Sequence, residues 1–184
     1  TRDLAGFVRA HRRMHFTPGS AGDYRSIDTQ LLGMALARVT GRPLADLLAE
    51  RLWHPMGAEF AATWNLDRPG GIEKAFCCLN ATARDFARMG QQVLLAAQGQ
   101  GVVPAAWLAR IARPAPHAVD GWGYAAQWWQ RDPAGGPDFA AVGIHGQYLY
   151  VHPGRRVVIV KLSDYGENQD ERETYDALRA LAQR

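Results

Sequence analysis

Two short stretches of this chain hold residue types that could do chemistry. The first is Tyr24-Arg25-Ser26, which follows the loop-forming run Pro18-Gly19-Ser20-Ala21-Gly22-Asp23 and precedes an apolar helical pattern. A tyrosine on a loop backed by a helix can present its phenol to a cleft and stay fixed there, although a loop tyrosine also serves as packing. The second is Gly143-Ile144-His145-Gly146-Gln147, set where one strand signal ends and the next begins. Gly146 would let a substrate approach the backbone closely, and His145 is either a polar wall of a site or a satisfied turn residue. The six histidines show no zinc-type arrangement; only His11 and His15 have i, i+4 spacing, on a short N-terminal segment. Gly70-Gly71 and Gly135-Gly136 lack the pattern that cradles phosphate.

The elements that must position these residues follow from periodicity. Asp3 to Arg13 reads as a short helix stopped by Pro18. The helix after Tyr24 runs to Thr40, with Ile27, Leu31, Leu32, Ala35, Leu36 and Val39 on one apolar face and Gly41 at its end. Pro43 opens another helix with Leu44, Leu47, Leu48 and Leu52 inward, and residues 59 to 71 are irregular. Thr82 to Asp85 has capping-box spacing and begins a helix to about Ala97; Pro104 to Ala112 is a further short one. From Gly121 the period changes. Trp122, Tyr124, Trp128 and Trp129 mark one strand, more core-like than ligand-binding, followed by Phe139 to Val142, Gln147 to Val151 and Val157 to Leu162. Four strands in close succession need an antiparallel meander. Gln169 to Gln183 closes the chain as an amphipathic helix, so the class is α+β.

Pro-Gly-x-x-x-x-Tyr-Arg-Ser-x-Asp-Thr-x-Leu-Leu-Gly, with Val39-Thr-Gly-Arg-Pro-Leu44 and Leu52-Trp-His-Pro-Met-Gly57 after it, resembles the serine β-lactamase and penicillin-binding-protein superfamily. Within it the chain is most similar to the class C-like esterases and the 6-aminohexanoate-dimer (nylon oligomer) hydrolases. The resemblance implies the C-terminal part of a β-lactamase-like fold, one domain portion with a helical part over about 1–115 and the sheet and terminal helix over about 116–184. It also implies that Tyr24 shuttles a proton in acyl transfer and that Ser26 replaces the usual Asn of the second motif. Residues 143–147 resemble the third motif, Lys-Thr-Gly, without its Lys. By that likeness Gly146 and His145 edge the site, and the backbone N–H of Gln147 supplies half an oxyanion hole.

The family acylates a serine in Ser-x-x-Lys. The three serines here, Ser20, Ser26 and Ser163, have Asp23, Thr29 and Gly166 three residues on, so that motif is absent from the sequence. The resemblance therefore implies that an N-terminal segment of the same protein is a partner and brings the nucleophile and its Lys. A free phenol titrates near ~10, so Tyr24 as a base needs such a cation close by. Without a permanent cation in the third motif, and with Ser26 for Asn, small esters or linear amides are favoured over β-lactams. No metal or organic cofactor is implied. A non-catalytic remnant or binding module of the same fold is the alternative.

Composition bounds the remaining readings. The 184 residues, 47% hydrophobic, suffice for one globular core. A net charge of +3 with mixed signs gives no footprint for nucleic acid, and no apolar run suits a membrane span. Adjacent Cys77 and Cys78 read as reduced core thiols, since sequence neighbours rarely pair, which leans the compartment toward the cytoplasm. Val157 to Leu162, a nearly continuous apolar run, reads as a strand with a neighbour on each side. On that basis the chain expressed alone is expected to aggregate or stay partly unfolded.

Overall fold

The computed structural model describes residues 2–164 and 170–184; Gln169, the expected first residue of the terminal helix, falls outside them. The architecture is α+β, and it divides into two compact units, Thr1–Thr82 and Ala83–Arg184. The expected boundary near 115 separates helices from the main sheet, whereas compactness divides the chain earlier, because two of the helices pack onto that sheet.

The first unit is helical with one small two-stranded sheet. Helix α1 (Leu4–Ala10) is capped by Asp3, whose carboxylate accepts the Gly6 N–H. Helix α2 (Ser26–Thr40) ends where sequence places it, with Gly41 in the left-handed region at φ 67°. Its buried face is not the leucine-rich one. Val39 is 86% and Leu32 63% exposed, while Gln30 and Gly33 are buried. Gln30 Nε2 donates to Glu73 O and its Oε1 accepts from Ala75 N, at 3.1 and 2.9 Å. A Cβ on Gly33 would lie 2.5 Å from the Ala75 Cβ, so the absent side chain sets how closely that segment approaches. Helix α3 (Leu44–Leu48) runs into a π-helical turn, Ala49–Trp53, and buries Leu44 and Trp53. The stretch expected to be irregular holds β1 (Thr63–Trp64), paired antiparallel with β2 (Leu79–Asn80).

Cys77 and Cys78 form a disulfide, against the expectation of free thiols. The spacing argument treats a bridge as joining two distant segments. Here the sulfurs meet within one turn, where Cys78 adopts φ 74°. Trp64 Nε1 donates to Cys77 O at 2.8 Å and Asn65 N to Cys78 O at 3.1 Å, which hold the turn's carbonyls. The lean toward the cytoplasm rested on reduced thiols and loses that support. No helix among the described residues is long and apolar enough to cross a membrane.

The second unit has three layers. Its sheet has the order β3 (Gly123–Ala125), β4 (Trp128–Gln130), β5 (Phe139–Val142), β6 (Tyr148–His152) and β7 (Val157–Lys161), all antiparallel. The single tryptophan-rich strand expected from sequence is a hairpin of two, because Ala126 and Gln127 both take positive φ and form a primed two-residue turn. Helices α4 (Ala83–Ala96) and α5 (Ala105–Ile111) contribute Val93 and Ile111 to a core with Phe139 and Val151. Helix α6 (Glu171–Leu181) contributes Tyr175 and Leu178 to a core with Trp122, Ala140, Tyr148 and Tyr150. Alternate residues of β6 thus enter different cores, and the whole strand is buried. Gly90 permits the approach of α4, since a Cβ there would lie 2.6 Å from Val158 Cγ1. Strand β7 pairs with β6 alone among the described strands, so the second neighbour expected for it is not within them.

Candidate active site

Tyr24 stands one residue before the N-cap of α2 and is 44% exposed. Its loop is fixed by the next residue. Arg25 is extended at the N-cap position, φ −134° and ψ 123°, and its Nε donates to Asp23 while Nη2 lies 3.0 Å from His15 Nδ1. The chain therefore changes from loop to helix at a residue whose side chain is tied on two sides. Ser26 is the first residue of α2 and is exposed. His15 is taken up by Arg25 and His11 stacks on Phe7, so the pair with metal-like spacing goes to separate partners.

Residues 143–147 join β5 to β6. Gly143 N donates to Gln147 O at 2.8 Å and Gly146 N to Gly143 O at 3.0 Å, with Gly146 at φ 79°. That is a three-residue hairpin loop closed by a glycine bulge, a geometry that requires a residue tolerant of positive φ at 146. Ile144, at the tip, is 82% exposed. Gln147 folds its amide back over the turn: Oε1 accepts the His145 N–H at 3.1 Å, and Nε2 donates to Ser163 O at 2.8 Å. A Cβ on Gly143 would lie 2.4 Å from that Oε1, so the fold-back depends on glycine there too.

Two residues that sequence reasoning passed over belong to this turn. Lys161 Nζ donates to Gly146 O at 2.8 Å and to Ser163 Oγ at 2.9 Å. Ser163 Oγ lies 2.6 Å from Gly146 O and 3.0 Å from His145 O, so its proton is shared between two carbonyls. A serine whose hydrogen is committed to backbone oxygens is not arranged as a nucleophile, despite its lysine neighbour. The available signal was i, i+2 spacing at the end of a strand, which puts Lys161 and Ser163 on one side. A search for Ser-x-x-Lys cannot find it.

His145, Gly146 and Gln147 therefore share one turn of the second unit, whereas Tyr24 and Ser26 share one junction of the first. Among the described residues no three His, Cys, Asp or Glu side chains gather as a metal site.

The chain is 32% identical over 161 residues to a 6-aminohexanoate-dimer hydrolase of Paenarthrobacter ureafaciens, an alignment covering 80% of this chain and 41% of that protein. A solved structure from Bacillus anthracis, provisionally assigned as a 6-aminohexanoate-dimer hydrolase, superimposes with a TM-score of 0.80 at 30% identity, over 92% of this chain and 46% of that one. A penicillin binding protein from Bacillus halodurans shares the fold, with a TM-score of 0.69 at 18% identity, over 98% of this chain and 63% of that one. The chain thus spans less than half the length of the two hydrolase relatives. The sequence model of the family described as Beta-lactamase matches residues 3–184, and by that match this chain belongs to the beta-lactamase family.

Proposed function

We propose that this chain carries part of the machinery of a serine hydrolase that cleaves small esters or linear amides through an acyl-enzyme. The observation that carries the reading is Tyr24, exposed at the start of α2 behind a loop fixed by Arg25, in a family whose members named above are hydrolases. The nucleophile would come from a Ser-x-x-Lys segment outside this sequence. The serine oxygen attacks the carbonyl carbon, and its proton passes by way of the lysine and the Tyr24 phenol to the leaving group. Water then releases the acid and restores the serine. The Gln147 backbone N–H stabilises the oxyanion of each tetrahedral intermediate, Gly146 admits the substrate to the backbone, and His145 and Ser26 supply polar contacts. The relative named for the 6-aminohexanoate dimer supports a linear amide as substrate class.

Replacing Tyr24 with Phe in the protein as its source produces it tests this directly. Turnover of a linear amide is expected to fall by roughly 10²–10⁴ with the fold intact, the usual cost of losing a general acid–base. Undiminished amide turnover would remove Tyr24 from the mechanism. Intact mass of the native protein tests the frame of the proposal. A species that carries an upstream Ser-x-x-Lys supports the hydrolase, and a native product starting near Thr1 would instead favour a binding module.

A further inference from the structure

We infer that Lys161 and Ser163 are positioning residues that aim and strengthen the oxyanion donor of the 143–147 turn. The inference rests on the reading of Gln147 N–H as that donor. Two backbone hydrogen bonds already close the hairpin loop, from Gly143 N and Gly146 N. Two further donors make three contacts with its outer carbonyls, beyond what closure needs. Lys161 Nζ and the Ser163 hydroxyl act on Gly146 O, and the same hydroxyl reaches His145 O.

The peptide group explains why that matters. Gly146 C=O and Gln147 N–H belong to one planar trans unit and point in opposite directions. Whatever holds the oxygen therefore fixes where the hydrogen points. An ammonium on the oxygen also polarises the amide, and hydrogen bonds in such a chain strengthen one another by roughly 10–30% per bond. Lys161 is itself anchored. It is the cross-strand partner of Tyr148, which is 1% exposed, and its Nζ lies 6.0 Å from that ring's centroid. The charge is thus seated on a paired strand of the sheet while acting on the loop that joins β5 to β6. The Gln147 side chain completes the clamp by donating to Ser163 O, which ties the loop to the backbone that follows β7.

The test uses Ser163→Ala and Lys161→Met in the protein as its source produces it, with Ser163→Thr as the conservative variant. Two readouts are taken: kcat and KM on p-nitrophenyl acetate and a linear amide, and amide hydrogen exchange at Gly146 and Gln147. Removing an oxyanion donor outright costs about 10²–10³ in kcat, so a donor mis-aimed but present should lose about tenfold to a hundredfold. The expected result is that loss in kcat with KM within about twofold, faster exchange at Gln147, and recovery in Ser163→Thr. Unchanged kcat in an active protein, or unchanged exchange, would overturn the inference. So would kcat and KM worsening together with no recovery by Thr, which would mark a purely structural role. A wild-type protein that turns over neither ester nor amide would fell the hydrolase reading itself, and this inference with it, before any variant is compared.

Discussion

The hairpin of β5 and β6 has two ends, and the chain treats them in opposite ways. At one end Asp138 is fully buried, and its carboxylate accepts from Tyr150 OH at 2.6 Å, Tyr175 OH at 3.3 Å and the Arg179 guanidinium at 2.7 and 2.6 Å. Burial alone would raise its pKa; the bonds from Arg179 and Tyr150 outweigh it and hold the carboxyl below the usual range. At the other end Ile144 tips an exposed turn, and Lys161 Nζ there donates to the Gly146 backbone oxygen and to Ser163 Oγ. Both ends are charge-assisted: the first sets a guanidinium against a carboxylate, the second an ammonium against a backbone carbonyl. A closed ion pair contributes to holding α6 against the sheet. An ammonium on a carbonyl fixes the direction of the peptide group to which that oxygen belongs.

The sharpest way to break this contrast is Asp138→Asn. It should destabilise the fold by about 3 kcal/mol, the low end for a broken buried pair, because Arg179 loses its counter-charge but, at 29% exposed, keeps part of its hydration. Urea unfolding measures it, and a loss under about 1 kcal/mol would mean that charge does not hold that end.

A smaller loss should appear with pH, from the same cluster. Asp138 is held below 3.8, so its contribution is present above that value and disappears as pH falls through the lowered pKa. Burial raises the phenols of Tyr150 and Tyr175, and raises Tyr148 to about 12. Their contribution is complete below pH 10.0, the ordinary value, and is lost as pH climbs toward the folded values. Chemical denaturation across pH 2 to 12 should therefore give two flanks. In Asp138→Asn the acid flank should shrink. Persistence of both flanks at full size in that variant would assign them elsewhere.

The smallest effect belongs to the open end. Gly146→Ala places a Cβ at φ 79° and should cost about 1 kcal/mol, roughly the penalty of one left-handed residue. Under the proposed function it should also lower kcat, since it shifts the peptide that carries the donor. A stability loss comparable to that of Asp138→Asn would erase the difference between the two ends.

How much of this was legible in the sequence varies with the physical signal. The β5–β6 hairpin was readable because glycines bracket its loop between two short apolar runs. The β3–β4 hairpin was not, because Ala126-Gln127 lacks the Asn or Gly that usually announces a primed turn. The bounds of α2 were readable from Gly41, but its buried face was not. Leucines suggested one side, while a glutamine bonded at both ends and a glycine in close contact decided for the other. Tyr24 and residues 143–147 were found through their likeness to known motifs. Lys161 and Ser163 act on atoms every residue possesses, and nothing in a side-chain pattern identifies which carbonyl will be held. Nothing in sequence pairs Asp138 with Arg179 either, since α6 brings the two together across 41 residues.

Gln30 has a consequence beyond burying one face of α2. Gln30 uses one N–H and the oxygen of its amide as a peptide group uses its own, so it meets Glu73 and Ala75 as a single rung of a β-ladder would. The helix thereby reads the register of the extended segment beside it. Sliding that segment by one residue would turn both of these groups away from the Gln30 amide. The correct alignment of residues 73–75 is written into one side chain of α2, more than forty positions earlier in the chain.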